Sequence, residues 1–450
     1  MVARRRVLGE SVRAHPLRLV AEDLPDLVVR PRELAGVDPT LSTAASIPGS
    51  RMFEIRDALA TYRRDHPGGE VFDASQGDGG ASLPGVPEEL LDAASELQKT
   101  HGSAYDQPYG TELFRRAVVE DYWRLDAATG WGPTNVLACQ GGRDALLKAY
   151  EAMLQLGTGR RGDFIVTTRV PWISYNWGPY GVGANVMLAP GNEAAGWALT
   201  PDGVRACVEA AARLGGRRVA GLIVTSPDNP TGGTLGEERQ IELARAAFAA
   251  GVPFVLFDWI YHWVTDAAPY DLNRFLLALT PEERERCMFL DGITKSLGAS
   301  NVRNAHLLAA EKVVKFLQNR ASHGVIPSFF SQAVAVVAYR RGFAKACAGI
   351  VGPTNASRTF LRDFFAAKGI RAILGQGYYA FLDVGLWLDR AHMSDSAELG
   401  TVLAERFGLA VVPGVHFSGY GARWLRFSYA LPPEKTARAA ERLWEGLSSL

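Results

Sequence analysis

Lysine is scarce in this chain: 8 residues against 40 arginines. Arginine keeps its proton in a protein, so the few positions that take lysine stand out as places where a nitrogen can be neutralised and used. Cysteine is scarcer still. Cys139, Cys207, Cys287 and Cys347 lie far apart and form no C-x-x-C, which excludes a disulfide framework and a cysteine zinc site. They read as buried thiols of a reducing, cytoplasmic compartment. The 8 histidines form no H-E-x-x-H and no close pair. An excess of either charge is missing: 48 basic residues balance 48 acidic ones, and the pI is near 7. Nothing in that balance points to nucleic acid or an anionic membrane. No apolar run reaches the ~18 residues of a spanning helix. The most apolar stretch, VPFVLFDWIYHWV (252–264), is too short and carries Asp258, and it fits a buried strand running into a loop. The first residues, MVARRRVLGESVRAHPLRLV, are basic without an apolar core segment, so no signal peptide is expected.

What is present is an ordinary globular composition, 47% hydrophobic and 21% charged, in a chain long enough for two domains. Residues 1–45 are rich in Arg and Pro and read as an N-terminal arm. Residues 46–84 are expected to form the N-terminal part of a small domain, 85–327 a large domain, and 328–450 the C-terminal small domain. In the large part, strand-like runs (NVLAC, DFIVTT, ANVMLAP, VAGLIVT, VPFVLFD, CMFLDG, HLLAAE) alternate with helix-like ones of about a dozen residues. That alternation predicts an α/β fold with a mostly parallel central sheet covered on both faces. From 328 the pattern shifts to a long helical run, SFFSQAVAVVAYRRGFAKAC, and then to a smaller α+β segment with YYAFLDV, LAVVPG and WLRFSYA.

In an open parallel sheet, ligands bind at the carboxyl ends of the strands. Four of those ends carry suggestive residues. After NVLAC comes Gln140-Gly141-Gly142-Arg143, where free N–H groups at a helix start suit a phosphate, or where the glycines merely make a turn. After GLIVT comes Ser226-Pro227-Asp228-Asn229-Pro230-Thr231-Gly232, a strong turn sequence that also leaves the Asn229 amide at a strand end. After VPFVLF comes Asp258, then Tyr261. A carboxylate there needs a positive partner if buried, or it caps a helix. After CMFLDG come Thr294 and Lys295, with Arg303 eight residues on. A neutral lysine forms Schiff bases with carbonyls, whereas a loop lysine is commonly a solvated charge.

Taken in order, N-P-T-G (229–232), D-x-x-Y (258–261), T-K (294–295) with Arg303, and W-L-R-F-S (424–428) resemble the fold type I pyridoxal phosphate (PLP) enzymes of the class I/II aminotransferase group. The resemblance spans roughly residues 70 to 450. It implies a PLP-dependent transferase fold and a Schiff base between Lys295 and the cofactor. It implies that Asp258 holds the pyridine nitrogen protonated, with Asn229 and Tyr261 on the ring oxygen. It also implies phosphate binding by Gly142, Arg143 and Arg303 beside Thr294, and stacking by Trp172. Arg426 would hold the substrate α-carboxylate under a loop at Gly77. Tyr105 would reach the neighbouring subunit's phosphate in a homodimer with shared sites. Where many relatives carry a serine, this chain has Gly292; the residues around Arg303 are Asn301 and Ala305; Trp259 follows Asp258. Trp172, Tyr175, Trp177, Tyr180, Trp259 and Trp263 are therefore expected to wall a large aromatic site, with part of them in the core. The implied activity is amino-group transfer between an α-amino acid and a 2-oxo acid. The alternative is PLP-dependent elimination, replacement or carbon–carbon bond formation on an amino acid, as in specialised metabolism. A PLP-binding transcription regulator would need a winged helix ahead of the fold, and the leading residues show no such pattern.

Overall fold

The computed structural model describes residues 28–29 and 51–450. The expectation for residues 1–45 lies outside them, apart from Val28–Val29, and so do residues 46–50. The described residues form these strands in chain order: β1 (Val28–Val29), β2 (Phe72–Asp73), β3 (Val136–Cys139), β4 (Phe164–Thr167), β5 (Asn185–Leu188), β6 (Val219–Thr225), β7 (Phe254–Asp258), β8 (Cys287–Asp291), β9 (Ala305–Ala309), β10 (Ala372–Ile373), β11 (Tyr379–Asp383), β12 (Leu409–Ala410), β13 (Val412–Pro413) and β14 (Trp424–Ser428).

Eight strands form one sheet in the order β1-β5-β4-β6-β7-β8-β9-β3. The run from β5 to β8 is parallel throughout. Strand β9 is antiparallel to both β8 and β3, so β3 runs the same way as β8 and ends at the same edge. Strands β3, β4, β6, β7, β8 and β9 are buried at every position, as strands covered on both faces must be. Successive side chains alternate between two cores. Val255, Phe257, Cys287 and Phe289 belong to one, and Phe254, Leu256, Met288 and Leu290 to the other. The mostly parallel sheet expected from the sequence is thus present, with helices such as Gly142–Ala152, Pro201–Arg213 and Glu237–Ala249 joining its strands.

The helical run 328–347 is not continuous. A helix spans Phe329–Arg340, and Gly342, at φ 92°, turns the chain into a short helix Phe343–Ala346. The helix Phe329–Arg340 is buried along nearly its whole length in a core of the large sheet, against Val136, Ala138 and the helix Glu88–His101. A second, antiparallel sheet has the order β10-β11-β14-β13, and β2 pairs with β12 in parallel. Its core joins Leu382, Leu425 and Phe427 to Leu361, Leu403 and Leu443 of the helices Ala348–Ala367, Ser396–Phe407 and Pro433–Ser448. The β2–β12 pairing brings residues just after 70 beside the C-terminal segment. The loop after β2 then runs to the edge of the large sheet where β3, β6, β7 and β8 end.

Candidate active site

Strand β3 stops at Cys139, and Gly141 takes a left-handed φ of 84° before the helix Gly142–Ala152 starts. The Arg303 guanidinium lies against this turn, donating to the carbonyls of Ser300 (3.1 Å) and Gln140 (3.4 Å). A Cβ on Gly141 would sit 2.5 Å from an Arg303 nitrogen, so only glycine lets the guanidinium approach the helix N-terminus. Free helix N–H groups beside a guanidinium form an anion cradle. Thr294 is buried nearby and donates to the Asn304 carbonyl at 3.4 Å. The structure also gives a reason for Gly292. A Cβ there would lie 2.7 Å from Cα of Ala305 and 2.8 Å from the Asn304 carbonyl oxygen. The exit of β8 and the entry of β9 touch backbone to backbone, and a serine at 292 does not fit.

Lys295 follows β8. Its Nζ donates to the Gly77 carbonyl, and its own carbonyl accepts the Tyr378 hydroxyl. Burial lowers its pKa to about 8; Asp78 opposes that shift, and Arg426, Arg143 and Arg303 add to it. Asp258 ends β7 at 2% exposure. It accepts the Tyr175 hydroxyl at 2.7 Å and the Ile260 N–H at 3.1 Å. Burial raises its carboxyl to about 6, against the pull of those two bonds; Asp291 adds to the rise and Lys295 reduces it. No cation pairs with Asp258 among the described residues.

Arg426 comes from β14, in the other sheet. It donates to Asn229 Oδ1 (2.8 Å) and to the Ser75 carbonyl (2.6 Å), and packs over the rings of Tyr379 (4.4 Å) and Phe417 (5.2 Å). Its Nε is buried and meets no acceptor among the described residues. The Tyr261 and Tyr379 hydroxyls are 2.9 Å apart. Trp172 is partly exposed at the start of the helix Ile173–Trp177, with Arg143 at 5.5 Å over its ring and Tyr175 edge-on at 5.5 Å.

The structure therefore gathers Gly77, Gly142, Arg143, Trp172, Asn229, Asp258, Tyr261, Thr294, Lys295, Arg303 and Arg426 around one edge of the large sheet. Tyr105 is not among them; it is 96% exposed. The aromatic wall needs correction. Trp259 is fully buried on the opposite face, donates to Gln240 Oε1 at 2.8 Å and packs on Phe275 and Phe289. Asp258 faces the site, so its neighbour faces away. Tyr180 and Trp177 pack with Val186 and Leu188, and Trp263 packs on Phe343 and Tyr122. Of the six aromatics, Trp172 and Tyr175 remain at the site. Residues the sequence reading passed over are Ser75, Asp78, Tyr175 as the partner of Asp258, Phe417, and the pair Tyr378 and Tyr379. The doublet of tyrosines after Gly377 was the one available signal.

The donor set suits one particular ligand. It offers a cradle for a dianion, a nitrogen nucleophile depressed towards neutrality, and a buried carboxylate lacking a cation. It also has an arginine with a spare N–H. Those are the requirements of a phosphorylated pyridine aldehyde and an α-carboxylate. Fold and site together define a PLP-dependent transferase of fold type I. The chain belongs to the aminotransferase class I and II family, whose sequence model matches residues 71–443. Among curated relatives, the aspartate aminotransferase of Geobacillus stearothermophilus is 24% identical over 369 residues, covering 80% of this chain and 87% of that protein. That of Streptomyces avermitilis is 28% identical over 382 residues, covering 81% and 86%. In three dimensions the chain is similar to the aspartate aminotransferase from Thermus thermophilus with maleate, at TM-score 0.75 and 21% identity over 92% of this chain and all of that one. It is also similar to an aminotransferase from Mycobacterium tuberculosis, at TM-score 0.76 and 22% identity, covering 90% and 98%. The activity is PLP-dependent amino-group transfer. Among the described residues, no helix is long and apolar enough to cross a membrane, and no cluster of side chains is suited to a metal ion.

Proposed function

We propose that the protein moves the amino group of an α-amino acid to a 2-oxo acid in the pocket around Lys295. The observation that carries this reading is Asp258: a carboxylate at 2% exposure, without a cationic partner among the described residues, at the end of the strand beside the one that leads to Lys295. When bound, PLP supplies the electron sink that makes the bond at the amino acid's α-carbon labile. Lys295 would hold the cofactor covalently and carry the proton to and from that carbon. A pKa near 8 keeps a usable fraction of neutral amine at physiological pH. Asp258 would keep the ring nitrogen charged, oriented by Tyr175 and the Ile260 N–H. Gly142, Arg143 and Arg303 would bind the phosphate beside Thr294. Trp172 would cover the ring face, and Asn229 and Tyr261 its oxygen. Arg426 would fork onto the α-carboxylate with Nε and an Nη, a geometry that lysine cannot reproduce. Gly77 would cover the substrate and exclude water. Arg426→Lys should weaken amino-acid binding by ~2–4 kcal/mol while cofactor binding is unchanged. A titration that finds the substrate Kd unaltered removes Arg426 from this role.

The 96% exposure of Tyr105 supports a homodimer in which this side chain serves the partner's site. A mixed dimer of Tyr105→Phe and Lys295→Ala chains then has one site with both defects and one with neither. It should keep about half of wild-type activity; near-complete loss contradicts the sharing. The four free, buried thiols support a cytoplasmic location, which cell fractionation checks.

A further inference from the structure

Tyr379 is 2% exposed and reaches the site from β11, beside the strand that carries Arg426. Three contacts surround it. Its hydroxyl meets that of Tyr261 at 2.9 Å. Its ring lies 4.4 Å beneath the Arg426 guanidinium. Its hydroxyl oxygen occupies the place where a Cβ of residue 77 would stand, so the glycine at 77 is what makes room for it. The adjacent Tyr378 donates to the Lys295 carbonyl, which pins this end of β11 to the Lys295 loop.

We propose that Tyr379 is a positioning residue that joins the carboxylate anchor to the cofactor's ring oxygen through Tyr261. The inference rests on the roles of Tyr261 and Arg426 given above. The proton count dictates its direction. The Tyr261 hydroxyl has one hydrogen. If that hydrogen is donated to the ring oxygen, the 2.9 Å contact must be completed by the Tyr379 hydrogen donated to the Tyr261 oxygen. A hydroxyl that accepts one hydrogen bond becomes a better donor for the next. Tyr379 thus sharpens the grip of Tyr261 on a negatively charged ring oxygen, while its ring seats Arg426 by a cation–π contact. The charged and titratable groups facing Tyr379 are Arg426, Tyr261, Tyr378 and Asp78. A phenylalanine would seat the arginine equally well, so the hydroxyl is there for Tyr261.

The test uses the PLP-loaded protein without substrate and follows the pH midpoint of its visible absorbance in Tyr379→Phe, Tyr261→Phe and the double variant. Both single variants should raise the midpoint. The shift for Tyr379→Phe should be the smaller, about half a pH unit. The double variant should shift no further than Tyr261→Phe alone. Tyr379→Leu should in addition raise the KM for the amino acid about fivefold, where Tyr379→Phe leaves it near wild type. A midpoint unmoved by Tyr379→Phe but moved by Tyr261→Phe overturns the proposal and leaves Tyr261 in place, as does simple additivity in the double variant. A midpoint unmoved in both variants overturns the proposal together with the reading of Tyr261.

Discussion

Lys295→Ala should lower turnover by about four orders of magnitude, because it removes both the covalent attachment and the group that carries the proton. The fold should persist. The side chain makes one hydrogen bond, to the Gly77 carbonyl, and burial already disfavours its charged form. PLP should still bind non-covalently, since the anion cradle at Gly141, Gly142 and Arg303 and the Asp258 carboxylate are untouched. Lys295→Arg should be as inactive as the alanine variant, because a guanidinium stays protonated and cannot attack a carbonyl. Borohydride treatment of the loaded wild type should fix the cofactor at Lys295, read by peptide mass, and should fix none in either variant. Attachment at any of the other lysines would contradict the assignment.

Asp258→Asn should lower turnover about a thousandfold, the scale of losing the partner of one buried charge. It should act in the opposite direction on the cofactor-free protein. The carboxyl titrates near 6 in the fold, above the 3.8 of an unperturbed aspartate, because burial penalises its charge. A pKa raised by folding means that the folded state binds the proton more tightly. Stability is therefore retained below pH 4 and lost as the pH rises through 6. At pH 8 the asparagine variant, which carries no charge, keeps its Oδ1 for the Ile260 N–H and turns an NH2 towards the Tyr175 oxygen, should be more stable on the order of 1–2 kcal/mol. The advantage should shrink to nothing near pH 4. Melting temperatures of the two cofactor-free proteins at pH 4, 6 and 8 give the comparison. A stability difference that does not grow in favour of the variant between pH 4 and pH 8 would contradict a carboxylate whose charge is penalised by burial.

How much of this was legible in the sequence follows from what each residue depends on. The ends of parallel strands converge on one edge, so local pattern placed Asp258, Asn229, Lys295 and the glycines after β3 there, while their roles came only with the ordered set of motifs that resembles the family. Asp258 ends β7 and Lys295 follows its neighbour β8, so the order of the strand ends brings them to the same edge. Trp259 illustrates the limit. Its position beside Asp258 suggested a pocket wall, but alternation turns it to the opposite core, where Gln240 takes its indole N–H. Tyr378 and Tyr379 were missed because they arrive from a separate antiparallel sheet, and no local rule aims β11 at the Lys295 loop. Gly292 and Gly77 are non-local in the same way. Each is required by another segment's atoms, the Ala305 backbone in one case and the Tyr379 hydroxyl in the other. The break at Gly342 lies inside a run whose apolar residues read as helical on both sides of it.

In amino-group transfer the nitrogen leaves the amino acid and stays with the cofactor until an oxo acid takes it. The direct measurement is to mix the PLP-loaded protein with an amino donor alone and count products. The expected result is one equivalent of 2-oxo acid per subunit, a cofactor converted to its pyridoxamine form, and no further reaction until a 2-oxo acid is added. Continued product formation without an acceptor, with the cofactor absorbance unchanged, would contradict it and point to elimination or replacement chemistry in the same pocket.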